Sequence, residues 1–244
     1  MSQNLANNKY QIDPNDFIYV AKDQKVYRII ALRDLETHDV KKGDRGGYIE
    51  SRYNLSCYGD SWVKDNAYVC DAARVLDDAL ICDEASASGD STVSNWSIVS
   101  GRAKIAGKAT ISHYARVTDD SVIEGLVYVS GYSVIVHNTK LAGEGCIYGY
   151  SRLSGVTISG NYNFNDCFLE NFCLCFPYGS RLFNCKVTES KNILIIHSGK
   201  NHTSLVIIKE EYEIYVHDFY KGKYLLDHLS NPSLFNFIKY NFGE

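Results

Sequence analysis

The sequence predicts an all-β solenoid: a left-handed parallel β-helix with an N-terminal β-hairpin cap and a small C-terminal α+β domain. Three observations carry this prediction, and all three repeat every six residues. An aliphatic residue recurs from Val63 to Leu153, a small residue stands two positions before it, and a turn-forming residue stands two positions after it. A period of six fits neither an α-helix nor a lone strand, so it indicates a stacked repeat.

The repeat runs without a gap, and its exceptions are few. Only Ala87 is smaller than valine at the aliphatic position, and Val127 breaks the small position. The turn position holds residue types that tolerate a left-handed backbone most readily. The aliphatic residues are Val63, Val69, Val75, Ile81, Ala87, Val93, Val99, Ile105, Ile111, Val117, Ile123, Val129, Ile135, Leu141, Ile147 and Leu153. The turn residues are Asp65, Asp71, Asp77, Asp83, Gly89, Asn95, Gly101, Gly107, His113, Asp119, Gly125, Gly131, His137, Gly143, Gly149 and Gly155.

Each six-residue unit predicts a short strand with its aliphatic side chain inside, followed by a left-handed turn. Three units close one triangular coil, and successive coils stack at the ~4.8 Å spacing of β-strands. Burial of one aliphatic side chain contributes roughly 1.5–3 kcal/mol, and neighbouring coils share that core. Because the ends of such a prism are open, we expect the flanking segments to cover them.

The segment before the repeat, residues 1–54, is predicted to be a tail followed by the hairpin cap. Residues 17–32 are typical of a β-hairpin with Asp23 and Gln24 at its turn. The glycine-rich stretch from Gly43 to Gly47 then leads into the first coil. The solenoid itself is predicted over residues 55–187.

The repeat loses its register after Leu153, where bulkier side chains such as Phe164 and Phe168 enter. A degenerate last coil is therefore expected to run to about Val187. Within 188–244, the sequence predicts a β-hairpin that turns at Gly199, with room for a third strand. The stretch from Gly222 to Phe242 has helical spacing, interrupted at Pro232, which completes a small α+β domain.

Composition narrows the class of protein. A net charge of -4 argues against a broad nucleic-acid binder, which normally carries a basic surplus. The first residues have neither the basic nor the apolar region of a secretory signal, and no apolar run approaches the ~20 residues of a membrane span. We therefore expect a cytoplasmic protein whose eight cysteines are free thiols. None of them forms a CxxC pair, so the sequence predicts no zinc site and no cofactor.

The chain enters the repeat through five characteristic segments, which are Arg28 to Asp34, Val40 to Glu50, Asn54 to Ser56, Tyr58 to Val63 and Asn66 to Val69. These segments resemble the entry of the YdcK-like bacterial left-handed β-helix proteins and their phage and prophage relatives, in which a Gly-Asp-x-Gly-Gly cap precedes repeats rich in Gly-Asp-Ala-x-Val. The resemblance covers residues 26 to about 155. It implies the fold and a mobile-element origin, and it transfers no catalytic residues.

Histidines are the candidate catalytic residues. Acyltransferases built on this fold use a histidine base, and His113 and His137 are the histidines of the prism. Both occupy a turn position, which explains them without catalysis, and no pocket-forming insertion interrupts the repeat. His197 and His202 have the five-residue separation of two zinc ligands in related carbonic anhydrases, but they flank the Gly199 turn. A hairpin placement is the favoured interpretation.

The outward positions of one prism face predict an interaction surface. Residues one coil apart stack directly, so Trp62, Leu80 and Ile98 are expected to form an apolar column, with Val134 and Val136 further along. Such a column favours self-association or binding of a host protein. The alternative is that a terminal segment of the chain covers this face.

The first coils carry seven acidic residues between Asp60 and Glu84. Most are turn residues, which favours a structural role over mimicry of nucleic acid. The leading hypothesis is a non-catalytic phage or prophage protein that binds a host protein, for example to inhibit a defence nuclease. The alternatives are an acyl-coenzyme A-dependent acyltransferase with His113 or His137 as base, and a purely structural, self-assembling component.

Overall fold

A computed structural model describes the backbone of residues 7–170, 173–183, 185–190, 193–198, 204–210, 213–218 and 222–225, and the side chains of residues 7–170. Within these ranges the chain is an all-β solenoid of parallel, stacked coils with about seven turns, so the predicted fold class is confirmed. No α-helix occurs among the described residues; one short 3₁₀ turn spans Glu36–His38.

The strands stack in three columns, which form three faces of a prism. Along most of each column a strand pairs in parallel with the strand one coil later, as Ile98 does with Arg116. The first face contains β4 Trp62–Val63, β7 Leu80–Ile81, β10 Ile98–Val99, β13 Arg116–Val117, β16 Val134–Val136, β19 Arg152–Ser154, β21 Phe168–Glu170 and β23 Cys185–Ser190. The second contains β3 Arg45–Ile49, β5 Tyr68–Val69, β8 Ser86–Ala87, β11 Lys104–Ile105, β14 Val122–Ile123 and β17 Lys140–Leu141. The third contains β6 Arg74–Val75, β9 Thr92–Val93, β12 Thr110–Ile111, β15 Leu126–Val129 and β18 Glu144–Tyr148.

The core follows the six-residue pattern closely. Every aliphatic residue of the repeat is buried, and the alanines of the small position, such as Ala67 and Ala103, have no exposed surface. Every turn residue of the repeat has a positive φ, as the residue types predicted. The corners are sharp because glycine adopts this backbone conformation without a steric penalty and Asp and Asn adopt it more readily than most other residues.

The turn aspartates also join successive coils through their carboxylates. Asp83 Oδ2 accepts a hydrogen bond from the backbone N–H of Gly101, 2.8 Å away, and Asp71 Oδ2 accepts one from Gly89 N at 2.9 Å. Asp77 Oδ2 accepts in the same way from Asn95 N at 3.0 Å. These backbone N–H groups would otherwise lack a partner at the corner. The acidic residues of the first coils therefore have a structural role, which was the favoured interpretation.

The N-terminal cap is a three-stranded sheet that continues the second face. β1 (Tyr10–Ala21) and β2 (Gln24–Ala31) form the predicted hairpin, although it begins earlier than expected and turns at residues 22–23. β2 pairs antiparallel with β3, and β3 in turn pairs in parallel with β5. Thus β3 converts an antiparallel hairpin into the first rung of the parallel prism.

The segment leading into β1, together with the start of that strand, covers the open N-terminal end of the prism, which we call its lower end. Lys9 is fully buried, and its Nζ donates hydrogen bonds to Ser56 O and Ser61 Oγ, both 2.9 Å away. Tyr10 Oη donates to Leu55 O at 2.8 Å. Burial of the ammonium group, with a smaller contribution from nearby Arg33, lowers the pKa of Lys9 to about 8.

At the upper end the coils shorten and aromatic side chains enter the core. β20 (Thr157–Asn165) runs without a break across two faces, because its first half pairs with β17 and its second half with β18. Tyr162 is buried against Gly145: a methyl group at that glycine would lie 2.0 Å from Tyr162 Cε2. This contact explains why a glycine occupies the small position there.

The later strands complete the upper end. β22 (Cys173–Phe183) pairs with β20, and from β23 onward the first face continues as an antiparallel sheet. Its strands are β24 Ile193–Ser198, β25 Ser204–Glu210, β26 Glu213–Asp218 and β27 Gly222–Leu225. The hairpin predicted around Gly199 is confirmed by the pairing of β24 with β25, and β26 is the third strand. The helix predicted from Gly222 is wrong over β27, which pairs with β26; its remainder lies outside the described residues.

Candidate functional site

The predicted apolar column on the first face is only partly exposed. Trp62 is 1 % exposed, so the expectation that it contributes to an outer surface is wrong. The N-terminal cap covers it: a methyl group at Gly46 would lie 2.7 Å from Trp62 Cζ2. Lys9 also binds Ser61, the neighbour of this tryptophan. The alternative that a terminal segment covers this face is thus correct for the first coil.

The rest of the column is interrupted. Val136 is 8 % exposed and therefore buried, which corrects its assignment to the surface. Leu80, Ile98 and Val134 are partly exposed, and Leu80 also packs against the core. Exposed Arg116 separates Ile98 from Val134 in the stack. An apolar column alone therefore offers little contact area to a partner.

A larger surface lies at the corner just before the first face. Trp96, Tyr114, Tyr132 and Tyr150 occupy the same position in four successive coils and are 49 %, 47 %, 52 % and 67 % exposed. The three tyrosine rings are stacked, with centroids 4.9 Å and 5.1 Å apart and planes within 5° of parallel. We call these four residues the aromatic corner.

The repeat itself holds the aromatic corner in register. Each ring follows a left-handed turn residue and precedes a small buried residue, so that its side chain points away from the core. Backbone hydrogen bonds fix each rung to the next: Trp96 N donates to His113 O at 2.9 Å, and Tyr114 N donates to Gly131 O at 2.9 Å. The rings stack because the strands beneath them are parallel and in register.

The same position on another corner of the prism carries no aromatic residue in the matching coils. There the repeat places polar residues that face solvent or form a local ion pair, as Arg102 does with Asp120. The fold thus accepts polar side chains at this position without loss of the core. The equivalent residues on that corner are Asn66, Glu84, Arg102, Asp120 and Asn138.

The aromatic corner also differs in charge from the rest of the chain. The four segments that build it and its flanks, 92–100, 110–118, 128–136 and 146–154, contain no aspartate or glutamate, whereas the whole chain has 29 and a net charge of -4. Their arginines, Arg116 and Arg152, are exposed two coils apart beside the rings. Neither makes an ion pair with a residue whose side chain is described.

The signal for this surface was present in the sequence as aromatic residues spaced 18 apart at 96, 114, 132 and 150. Comparison of the strand positions alone does not reveal it, because each ring stands at the residue after a turn and outside the strands. Sharp corners project their side chains furthest from the axis, so that position is also the most accessible to a partner.

The two candidate histidines lie on different corners, and the structure does not bring them together. Each has the positive φ expected of a turn residue. Nδ1 of His113 lies 3.1 Å from Ser112 Oγ, and Nδ1 of His137 lies 2.9 Å from Ser154 Oγ. Asp119 Oδ2 lies 3.8 Å from His137 Nε2, beyond hydrogen-bonding distance. A histidine that contacts one hydroxyl group could accept a proton, but both stand on convex, exposed corners.

One cluster has the composition of a metal site. Ligand atoms of Glu50, Cys70 and Asp71 lie within 4.8 Å of one another. Burial, and then the two carboxylates, raise the pKa of the Cys70 thiol to about 12. Glu50 Oε2 accepts hydrogen bonds from Asp71 N and Gln24 Nε2, and Asp71 Oδ1 accepts from the same amide. These contacts fasten the cap hairpin to the prism, which accounts for the cluster.

The second histidine pair lies outside the residues whose side chains the structure describes. His197 lies in β24, where side chains are outside the described residues, and His202 lies outside them altogether.

No helix in the described part of the chain has both the length and the apolar character needed to cross a membrane.

Comparison with known proteins adds no relative: no protein-family model matches the chain, and no curated protein is significantly similar to it in sequence.

Proposed function

We propose that this chain is a non-catalytic scaffold that binds another protein through its aromatic corner. The observation that carries the proposal is the exposed stack of three tyrosine rings, with exposed Trp96 one coil below it, beside Arg116 and Arg152. Trp, Tyr and Arg are the residues most enriched in the energetically dominant parts of protein interfaces. A partner that covers these rings removes apolar surface from water and meets cations that lack a described carboxylate partner.

Rigidity supports this function. The rings stand on a parallel sheet and restrain one another by stacking, so that little side-chain freedom remains to be lost when a partner binds. An aromatic pair in this geometry contributes about 0.5–1.5 kcal/mol beyond its buried area. The corner is therefore preorganised before it meets a partner.

We further propose that the partner is a host protein in the cytoplasm and that the chain is of phage or prophage origin. The support is the resemblance of the Gly43 to Gly47 entry segment and the following coils to the YdcK-like and phage β-helix proteins. Inhibition of a host defence nuclease is one process that such a scaffold serves. In that process the prism acts by occupying a surface of its target.

Tagged protein captured from host lysate, followed by native mass spectrometry, tests the proposal. We expect a stoichiometric host protein with the unmodified chain and loss of that protein with the double variant Tyr114→Ser, Tyr132→Ser. The matched control is Tyr53→Ser with Tyr58→Ser, two exposed tyrosines near the first coil. Equal capture by both double variants would contradict the assignment of the corner as the binding surface.

The contact between each corner histidine and a serine hydroxyl supports a second candidate, an acyltransferase with His113 or His137 as base. That function requires turnover of an acyl-coenzyme A donor that is abolished in His113→Ala or His137→Ala. A native mass showing only a homo-oligomer, without a host protein, would instead favour a self-assembling structural component.

A further inference from the structure

We infer that the aromatic corner recognises an acidic, extended polypeptide segment, with one carboxylate on Arg116 and another on Arg152. This inference rests on the proposed function and specifies the chemistry of the partner. It follows from three properties of the corner: its charge, the orientation of its rings, and the spacing of its arginines.

The positive charge of the aromatic corner favours a negatively charged partner. Its four segments carry Arg116 and Arg152 and no carboxylate, and Asp166 adds one carboxylate at the upper end, where its Oδ1 accepts a hydrogen bond from Tyr150 N at 2.8 Å. A second copy of the chain docked through the same corner would place these arginines against an equally basic surface, whereas an acidic segment is complementary to it. Guanidinium groups bind carboxylates through two parallel hydrogen bonds, which also orients the partner.

The orientation of the rings selects a polypeptide over a nucleic acid or a sugar. Both faces of Tyr132 are covered, by Tyr114 at 4.9 Å and by Tyr150 at 5.1 Å, with the planes nearly parallel. Bases stack on free ring faces, and Tyr132 at the centre of the stack has none to offer. The exposed part of Tyr132 is its ring edge, which carries the hydroxyl group. Ring edges and hydroxyls suit the carbonyl groups and proline rings of an extended chain.

The spacing of the arginines selects the conformation of the segment. Arg116 pairs with Val134, and Val134 pairs with Arg152, so the two arginines are separated by two strand spacings, roughly 9.6 Å. A polyproline II helix repeats every three residues, with a pitch of about 9.3 Å. Glutamates three residues apart on such a segment therefore face the same way at nearly the spacing of the arginines. Aromatic surfaces commonly bind this conformation because it is already extended.

The second face supplies a matched control. Lys104 pairs with Val122, and Val122 pairs with Lys140, so two exposed cations flank a valine at the same two-coil separation. The corner beside them carries Arg102, Asp120 and Asn138 in place of aromatic rings. A cation pair with this spacing is thus present on both faces, whereas the aromatic ladder and the segments without carboxylates are present beside only one of these cation pairs.

Fluorescence anisotropy of a labelled peptide of repeated Glu-Pro-Pro tests the inference on the full chain. We expect binding that weakens with added salt, about tenfold weaker binding with Arg116→Gln and Arg152→Gln together, and less than about a twofold change with Lys104→Gln and Lys140→Gln. A Lys-Pro-Pro peptide should not bind. Circular dichroism of each variant checks that the β-solenoid is retained.

Several results would overturn the inference. The first is that the Glu-Pro-Pro peptide does not bind, and the second is that the Lys104→Gln, Lys140→Gln variant loses as much affinity as the arginine variant. The third is that the Lys-Pro-Pro peptide binds as tightly as the acidic one. The fourth is that a single-stranded oligonucleotide binds and depends on the two arginines to the same extent. If the peptide fails while Tyr114→Ser with Tyr132→Ser still abolishes capture of a host protein, only the partner chemistry is wrong. If the peptide binds and no host protein is captured, the proposed host target is wrong.

Discussion

One corner of the prism has two halves whose outward residues differ in chemical character. In the lower half, Asp60 and Asp78 occupy the repeat position that Trp96, Tyr114, Tyr132 and Tyr150 occupy above. Asp60 accepts hydrogen bonds from Arg33 Nη2 at 3.1 Å and Thr37 Oγ1 at 3.0 Å, and His38 Nε2 lies 3.0 Å from Asp78 O. The N-terminal segment thus covers the lower half with polar contacts, and the aromatic residues begin above it.

This difference distinguishes the residues that the fold requires from the residues that it only exposes on its surface. In both halves the turn residues have a positive φ and the aliphatic residues are buried, yet the outward residue changes from carboxylate to aromatic ring. Where the N-terminal segment of the chain covers the corner, the outward residue is polar and makes polar contacts with that segment. Where no described segment covers the corner, the outward residues are exposed aromatic rings that the fold does not need, and exposed apolar patches often mark binding surfaces.

The largest effect is expected where the cap meets the lower half. In Gly46→Val the new side chain would meet Ile29 Cγ1 at 2.6 Å and the backbone oxygen of Val63 at 2.7 Å. The backbone oxygen cannot move without displacing β4 from its pairing with β7, so we expect a loss of roughly 3 kcal/mol in the free energy of unfolding, measured by urea denaturation. Emission of Trp62 should shift to the red as the cap detaches. A Lys41→Val control at an exposed position should change neither quantity.

The buried ammonium group gives the next largest effect. Lys9→Ala leaves Ser56 O and Ser61 Oγ without their donor and opens a cavity, so we expect a loss of about 2–3 kcal/mol in the free energy of unfolding. Lys9→Met keeps most of the volume and avoids burial of a charge, so its loss should be less than half as large. Equal losses in the two variants would show that the hydrogen bonds, rather than the volume, dominate the contribution of Lys9.

A pH dependence specific to the cap should follow from the same residue. The pKa of Lys9 is lowered from 10.5 to about 8 on folding, so below pH 8 both states bind the proton and the penalty is constant. Between pH 8 and 10.5 the unfolded state binds more protons than the folded state, and stability therefore rises with pH.

Because cysteine and tyrosine ionisation acts in both proteins, we compare the native chain with Lys9→Met. The difference in unfolding free energy should shift in favour of the native chain by about 1 kcal/mol per pH unit over that window. If the difference in unfolding free energy between the native chain and Lys9→Met stays constant from pH 7.5 to 9.5, the ammonium group of Lys9 is solvated in the folded protein.

The smallest effect is expected in the upper half. Tyr132→Ala removes two stacking contacts at an exposed position, so we expect a loss of only about 1 kcal/mol in unfolding free energy. Tyr53→Ala, at a residue that is 79 % exposed, should change it by less. A loss of several kcal/mol in Tyr132→Ala would mean that the aromatic corner stabilises the prism, which would contradict its assignment as a surface that the fold does not need.

The sequence predicted the parts of the fold that repeat. Turn residues such as Asp65 and His113 have the left-handed backbone expected of them, and residues such as Val63 and Ile147 are buried as expected. Local residue type is sufficient there, because each unit meets the same neighbours one coil above and below it.

The sequence could not predict contacts between the repeat and its flanks. Whether Trp62 faces solvent depends on where the cap hairpin lies, and six-residue periodicity contains no information about that placement. The same limit applies above Leu153, where β20 crosses a corner without a turn because Tyr162 fills the core over Gly145. The aromatic corner could have been found from its 18-residue spacing, but its exposure follows only from the absence of a cover among the described residues.

Site-specific photo-crosslinking in host cells tests most directly the claim that the upper half of this corner binds a partner. Photoreactive benzoylphenylalanine would replace Tyr132 in one sample and Tyr53 in another, since both are exposed tyrosines of the same chain. We predict one discrete crosslinked host protein from position 132 and none from position 53. Crosslinks of equal yield from both positions, or from neither, would contradict the claim.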